Sequence, residues 1–564
     1  MIRRIFIFSA LVWGQILPVY AQAIPDASRV EGQLDLKNPS RPDVEKTLPV
    51  VKSETPPPVL ESDTIRFFVK DIIFDGVTVY SKAELDRLTA QVRKKDVSLG
   101  DLYVLVQKIT DHYRADGYVL AQAFLPPQSI EDGLVKIQVI EPYIDQVVVE
   151  GHPAYFDKIK RLLMPWYRKK LLNVNDLEET LLLINDLPGT RVQSVLQPRQ
   201  SEEDKTGKSL DPGAIILRLV FNQKESVVGR ISFDNYGSKF IGPYQVGANV
   251  FVDNAFGYMA ETNLQGFVGS EWDELVYLNV GQNIPMEFPG LSLNLSANKS
   301  RVVPGYTLRS NDIKSRSTVL SVGLTQSVVR SRRLNFDLLT SLENRSSATK
   351  LLGDILTEDR LTILTMGGRL QIADSRGAVN SVNLTVRQGL NLMGARDTGS
   401  LNLSRLEGRS DFTSVQMQAA RTQNLTNDLS VFTQIRGQYA FNPLLSSEEF
   451  GYGGNTIGRA FNASEIVGDH GVSGVVEGRY RMEVLPQLTL EPYVFYDIGK
   501  TWNLDHIDGD DFSGVSTGFG MRGVFDTGAS FETFIAKPLT RRIETPQYGS
   551  GTDPVIKFSL GYQL

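Results

Sequence analysis

Residues 475–484 read VVEGRYRMEV. In an extended chain successive side chains point to opposite faces, so Glu477, Arg479, Arg481 and Glu483 fall on one side and Val476, Tyr480, Met482 and Val484 on the other. Two kinds of sheet alternate in this way. A soluble sandwich turns its polar face to water and buries the other, whereas a transmembrane barrel lines a wet lumen with the polar face and offers the apolar one to lipid. So heavy a charge on one face favours the barrel. The same alternation recurs in LSLNLSAN (291–298), where Leu291, Leu293, Leu295 and Ala297 oppose Ser292, Asn294, Ser296 and Asn298. It returns in SVNLTVRQ (381–388) and in VIKFSLGYQL (555–564), where Ile556, Phe558, Leu560, Tyr562 and Leu564 share a side. At roughly 10 residues per strand plus turns, residues 224–564 support about sixteen antiparallel strands. Eight would leave overlong loops, and twenty-two would leave too few residues.

The N-terminus agrees with an exported chain. Arg3 and Arg4 precede the apolar run IFIFSALVWGQILPVYAQA (5–23), interrupted by Gly14, Gln15 and Pro18. Residues 1–23 read as a secretory signal peptide with cleavage after Ala21 or Ala23. The chain has no cysteine, so its stability outside the cytosol comes from buried area or a closed sheet rather than disulfides. Without Arg3 and Arg4 the count is 57 basic against 65 acidic residues, which argues against nucleic acid as a partner. After the signal no apolar run is long enough for a spanning helix.

Residues 24–64 are polar and carry Pro56, Pro57 and Pro58. They read as a mobile leader and proline-rich linker with room for a plug helix. Between 65 and 223 strands alternate with amphipathic helices, and the order occurs twice. FVKDIIFDGVTVYSKAELDRL (68–88) is matched by YIDQVVVEGHPAYFDKIKRLL (143–163), with Asp75-Gly76 answering Glu150-Gly151. Each copy continues into a second helix, within 102–118 and 174–187, and ends in two strands. Two β-α-α-β-β modules, 65–143 and 144–223, are the simplest account.

Motifs for enzymatic chemistry fail on inspection. GKS (207–209) and GKT (499–501) would need a leading glycine at Glu202 and Val494 to form a phosphate loop. His112, His152, His470 and His506 are scattered without ligand spacing. No cofactor and no metal are expected.

Several stretches resemble one known family. HYRADGYVLAQAFLPPQSIEDGLVKIQVIE (112–141) is similar to the region that characterises the ShlB/FhaC/HecB-type haemolysin secretion/activation proteins, the TpsB transporters of two-partner secretion. Its matching positions include Gly117, Tyr118, Pro126, Gln128, Gly133 and the VIE at 139–141. FDNYGSKFIGPYQVGANVFVDN (233–254) resembles the start of that family's barrel. GGNTIGRAFNASEIVGDHG (453–471) resembles its inserted loop, and FYDIG (495–499) its F-x-D-x-G strand motif. The resemblance implies a membrane β-barrel of about 16 antiparallel strands, 224–564, preceded by two periplasmic α+β POTRA domains, 65–143 and 144–223. It implies an outer-membrane translocator that exports, with or without activating, a large TpsA-like partner such as an adhesin, haemagglutinin or haemolysin. Lipid and the barrel-assembly machinery would be its further partners. It also implies that the loop folds back into the barrel, where Arg459 meets Asp497 beside Phe461 and Gly499.

Parity supports part of this independently, because Asp497 shares a face with Thr489, Glu491, Tyr493 and Phe495. A desolvated guanidinium–carboxylate pair would offer bidentate geometry that lysine cannot copy. Ala460 departs from the family's glycine after the arginine, which questions any need for positive φ there. Leu564 stands where such barrels usually end in an aromatic. Two other functions share these features: an outer-membrane assembly factor of the same superfamily, and a porin or receptor with periplasmic modules.

Overall fold

The computed structural model describes residues 26–30, 65–130, 132–151, 156–168, 171–199, 212–223, 227–256, 259–504 and 511–564. The signal peptide, most of the leader, GKS at 207–209, His152 and His506 lie outside them. The chain divides into a unit spanning 43–224 and a second unit comprising 1–42 and 225–564.

In the first unit both modules repeat one arrangement. The first begins with β1 (Arg66–Val69) and β2 (Asp71–Asp75), then α1 (Lys82–Thr89), β3 (Lys95–Ser98), α2 (Leu99–Ala115), β4 (Gln122–Phe124) and β5 (Leu134–Ile140). β5 lies parallel to β2 and antiparallel to β4. The helices start where serine can cap them: Ser81 with Glu84, and Ser98 with Asp101, form reciprocal boxes at α1 and α2. Leu102, Leu105, Ile109 and Tyr113 of α2 bury against Val135, Ile137 and Val139 of β5. The alternation of β5 thus meets the helical spacing of α2 in one core. Four-residue β1 and β3 pair separately, an addition to the β-α-α-β-β reading.

The second module runs β6 (Tyr143–Glu150), α3 (Phe156–Leu163), α4 (Val174–Asn185), β7 (Thr190–Pro198) and β8 (Ala214–Gln223). β8 is parallel to β6 and antiparallel to β7, repeating the pairings of the first. Asn173 caps α4 through the Asn175 N–H and also donates to the Asp116 carbonyl at 2.9 Å, so the cap doubles as a joint between modules.

In the second unit the alternating segments close into a barrel of sixteen antiparallel staves, from Val227–Asp234 round to Val555–Gln563. The first and last pair from Asp234↔Ser559 to Arg230↔Gln563. One stave is split into His470–Tyr480 and Met482–Leu485, close to Pro492 in the facing strand, which has no N–H to give. Connections at one end are short, as at 331–333, 374–377 and 486–487, and those at the other include 390–412, 441–469 and 539–554. Short turns face the periplasm and long loops the exterior.

Exposure follows parity. Along Leu488–Trp502, Val494, Tyr496 and Ile498 are exposed while Tyr493, Phe495 and Asp497 are buried inside. Exposed apolar side chains girdling a closed sheet are expected where lipid is the solvent. The lumen is occupied in part by the chain itself. A helical turn at 27–30 sits within, Ala27 and Val30 packing against Phe267, Tyr277 and Val302. Ala27 donates from its N–H to Ser315 Oγ at 3.0 Å and accepts from Ser300 Oγ at 3.2 Å.

Candidate functional site

The 441–469 connection is too long to serve as a simple turn, and its composition takes it inward. It forms a short hairpin, Phe450–Tyr452 with Ile466–Gly468, carrying Phe450, Tyr452, Ile457, Phe461 and Ile466 into one apolar cluster with Val475, Tyr493, Phe495 and Phe534 of the wall. Burying these rings is the driving force for insertion. The backbone permits it through Gly458, at φ +80 and pressed against the Tyr452 ring and Gly453. Ala460 has no left-handed backbone, so the departure from glycine after the arginine carries no strain. The freedom is needed one residue before the arginine.

Arg459 and Asp497 lie together in the wall of the lumen, 3 % and 0 % exposed. Their arrangement differs from a bidentate pair. Asp497 Oδ2 accepts the N–H groups of Gly458 and Arg459, both at 3.0 Å, and Ser516 Oγ at 3.3 Å. The guanidinium reaches Asp497 Oδ1 only at 3.4 Å, while its other nitrogen donates to Glu477 Oε2 at 2.6 Å. Asp497 therefore grips the loop's backbone and Glu477 takes the charge. The guanidinium plane also stands 3.8 Å from the Phe495 ring centroid, a cation–π contact.

Glu477 is the residue that reading the sequence for a partner of Arg459 missed. It sits among three arginines: Arg459, Arg522 at 2.7 Å and Arg479 at 2.7 Å. Arg522 continues to Glu491 at 3.0 Å and Glu532 at 2.9 Å, and Tyr493 donates to Glu532 at 2.8 Å. The parity of VVEGRYRMEV put Glu477 on the lumenal face, but parity says nothing about height along the barrel. Height comes from the register Glu477↔Phe495, two residues from Asp497.

Phe461 is 2 % exposed and lies 5.8 Å, ring to ring, from Tyr452. Gly499 serves by its lack of a side chain, since a Cβ there would overlap the Tyr452 ring.

The other candidate residues fall in the first module. Gly117 has φ +91, and a Cβ would stand 2.6 Å from Asn173 Oδ1. Its carbonyl accepts the Val174 N–H at 2.9 Å, which places it at the joint between modules. Tyr118 lies edge-on to Tyr113 at 6.2 Å. The Gln128 side chain bonds both backbone groups of Lys136 at 2.7 Å and reaches the Pro126 carbonyl at 3.3 Å, extending the ladder where β4 ends. Gly133, at φ +72, accepts the Lys70 N–H at 2.7 Å. Glu141, from the VIE stretch, accepts Thr78 N–H at 2.9 Å, Val79 N–H at 3.1 Å and Tyr113 O–H at 2.6 Å. Burial, and then this bond to Glu141, push the Tyr113 phenol above its ordinary range.

These features agree with comparison to known proteins. The family model described as haemolysin secretion/activation protein ShlB/FhaC/HecB matches residues 213–521, and that of the ShlB-type POTRA domain matches 67–142. The chain belongs to the ShlB/FhaC/HecB family. It is 22 % identical over 435 residues to the outer membrane transporter CdiB of Dickeya dadantii, spanning 75 % of this chain and 74 % of that one. It is 24 % identical over 421 residues to the heme/hemopexin transporter protein HuxB of Haemophilus influenzae, with 74 % and 72 % covered. The solved structure of CdiB from Escherichia coli aligns with a TM-score of 0.73 at 19 % identity, covering 95 % and 96 % of the two chains. As a ShlB/FhaC/HecB member, the chain is an outer-membrane transporter of two-partner secretion, with its POTRA region in the periplasm.

Proposed function

We propose that this transporter captures one large unfolded exoprotein in the periplasm and passes it through the barrel with the inserted loop as its gate. The observation that carries this reading is the buried grip on loop 441–469: Arg459 between Glu477 and Asp497, closed over by Phe461 and Tyr452. A permanently open porin has no use for so heavily bonded an obstruction.

Capture would use the sheet edges. We read the second module, with the same order and pairings as the first, as a second POTRA domain. β6 and β7 flank its sheet, β2 and β4 that of the first, and edge strands offer unpaired N–H and C=O groups to an extended guest. Exposed Tyr103 and Val104 on α2 would add apolar contact. No nucleotide-binding or catalytic constellation enters this account; folding of the partner outside would supply the drive. Lipid would contact the apolar girdle, and the barrel-assembly machinery would insert the chain.

The test is photo-crosslinking in cells from position 195 on β7, where Val195 is 41 % exposed. An adduct with one large exported polypeptide is the expected result. Adducts with many outer-membrane proteins would instead identify an assembly factor, and no protein adduct at all would overturn capture at this edge.

A further inference from the structure

The GDHG stretch that ends the inserted loop contains another buried carboxylate, ten residues beyond Arg459 and outside its grip. Asp469 is 0 % exposed and Arg405, from the 390–412 loop, 4 %. Their contact is bidentate, with Nη1 at 2.5 Å from Oδ1 and Nη2 at 3.3 Å from Oδ2. Asp469 also accepts two backbone N–H groups, Leu444 at 2.7 Å and Leu504 at 2.8 Å. One carboxylate thus joins three consecutive outer connections: 390–412, the root of 441–469, and the one entered at Asn503.

The joint extends beyond the ion pair. Arg405 donates to the Leu444 carbonyl at 2.8 Å, Arg409 N–H to the Pro443 carbonyl at 3.0 Å, and Ser446 N–H to Ser404 Oγ at 3.0 Å. Beneath them Leu361, Ile363, Phe412, Ala440, Leu444 and Leu445 form a separate apolar cluster. Glu449 lies 3.6 Å from Arg405 and also holds Arg29 of the lumenal helical turn. A fully buried, fork-to-fork pair with its remaining acceptor sites filled is the geometry in which a charge pair fixes position most strongly.

We propose that Arg405 and Asp469 are a positioning pair that clasps the root of the inserted loop to its neighbours. The tip is then held by Arg459 and the root by Asp469, two restraints in series on the same obstruction. Releasing the root gives the whole loop slack, so the lumen opens although the Arg459 contacts are untouched. This rests on reading the barrel as a gated conduit; the readout, conductance of the purified full-length chain in planar bilayers, requires no secreted partner and tests the clasp separately from the export reading.

The experiment compares the parent with Arg405→Ala, each shown to migrate as a heat-modifiable folded barrel. The variant is expected to raise mean conductance at least twofold. Because the chain has no cysteine, Ser404→Cys with Ser446→Cys supplies a reversible staple across the same joint. Added to Arg405→Ala, it should return conductance to the parental level when oxidised and release it on reduction, a rescue that general damage to the barrel would not give. Parental conductance in the folded Arg405→Ala chain, or a staple without effect, would overturn the proposal. Should Arg405→Ala not assemble, Arg405→Lys retains the charge without the fork and carries the same measurement, parental conductance again being the contrary result.

Discussion

Replacing Glu477 by glutamine is expected to loosen the inserted loop more than replacing Asp497 by asparagine, although Asp497 belongs to the F-x-D-x-G stretch that draws attention in the sequence. Glu477 meets Arg459 at 2.6 Å with both side chains almost wholly buried, and a hydrogen bond between charged groups in such a place contributes about 1.5–3 kcal/mol. Its contacts to Arg479 and Arg522 are 20 % and 30 % exposed on the arginine side, so each is discounted to about 0.2–1 kcal/mol. Those two contacts join parts of the wall and persist whether the loop is in or out, so the loss that falls on the loop is that of the Arg459 contact, about 1.5–3 kcal/mol. An asparagine at 497 can still accept the Gly458 and Arg459 N–H groups, and what it forfeits is the guanidinium contact at 3.4 Å, about 1 kcal/mol or less. Ala460→Cys provides the assay, because position 460 is 2 % exposed and the chain has no other thiol. At about 1.4 kcal/mol per tenfold, Glu477→Gln should speed labelling by a membrane-impermeant maleimide on whole cells by about tenfold or more. Asp497→Asn should speed it by about fivefold or less. Equal rates, or faster labelling in Asp497→Asn, would refute the division of labour between the two carboxylates.

Other outcomes follow from the same geometry. Gly499→Ala places a methyl in the Tyr452 ring, which is buried in the lumenal cluster and has little room to move aside; loss of secretion at unchanged barrel abundance is expected, and normal secretion would show that Tyr452 can repack. Gly117→Ala combines φ +91 with a 2.6 Å approach to Asn173, costing about 1–3 kcal/mol; the melting temperature of the 43–224 unit should fall by about 2–12 °C, as read by calorimetry. Hydrogen bonds from Ser81 and Ser98 hold the Glu84 and Asp101 carboxyls below their ordinary values of 4.5 and 3.8. Their stabilisation is present above those values and is lost as pH falls through the depressed folded ones; a melting series in acid should show this loss, and Ser81→Ala should reduce the part due to Glu84 without abolishing it, because the N–H of residue 81 still donates to that carboxylate.

Much of this architecture was legible in the sequence because it rests on periodicity. LSLNLSAN and VVEGRYRMEV show a charged or polar face every second residue, and the helical spacing of Leu102, Leu105, Val106 and Ile109 marks α2 equally well. β1 and β3 were missed because four residues such as KDVS, two of them charged, carry no usable alternation. The site was legible in one dimension only. Parity shows which side chains enter the lumen, yet the clustering of Arg459, Glu477, Arg522 and Glu532 depends on register across several staves, to which a local pattern is blind. The Arg405–Asp469 contact spans 64 residues between two loops, and loops have no period to read. Gly499 is a different case: its lack of a Cβ matters only because Tyr452 arrives from another segment.

The central claim is that this chain exports a dedicated partner, and the most direct measurement compares the proteins released by, or displayed on, cells with and without it. The account predicts the disappearance of one large polypeptide with other outer-membrane proteins unchanged. A general loss of barrels, or no change in any exported protein, would contradict it.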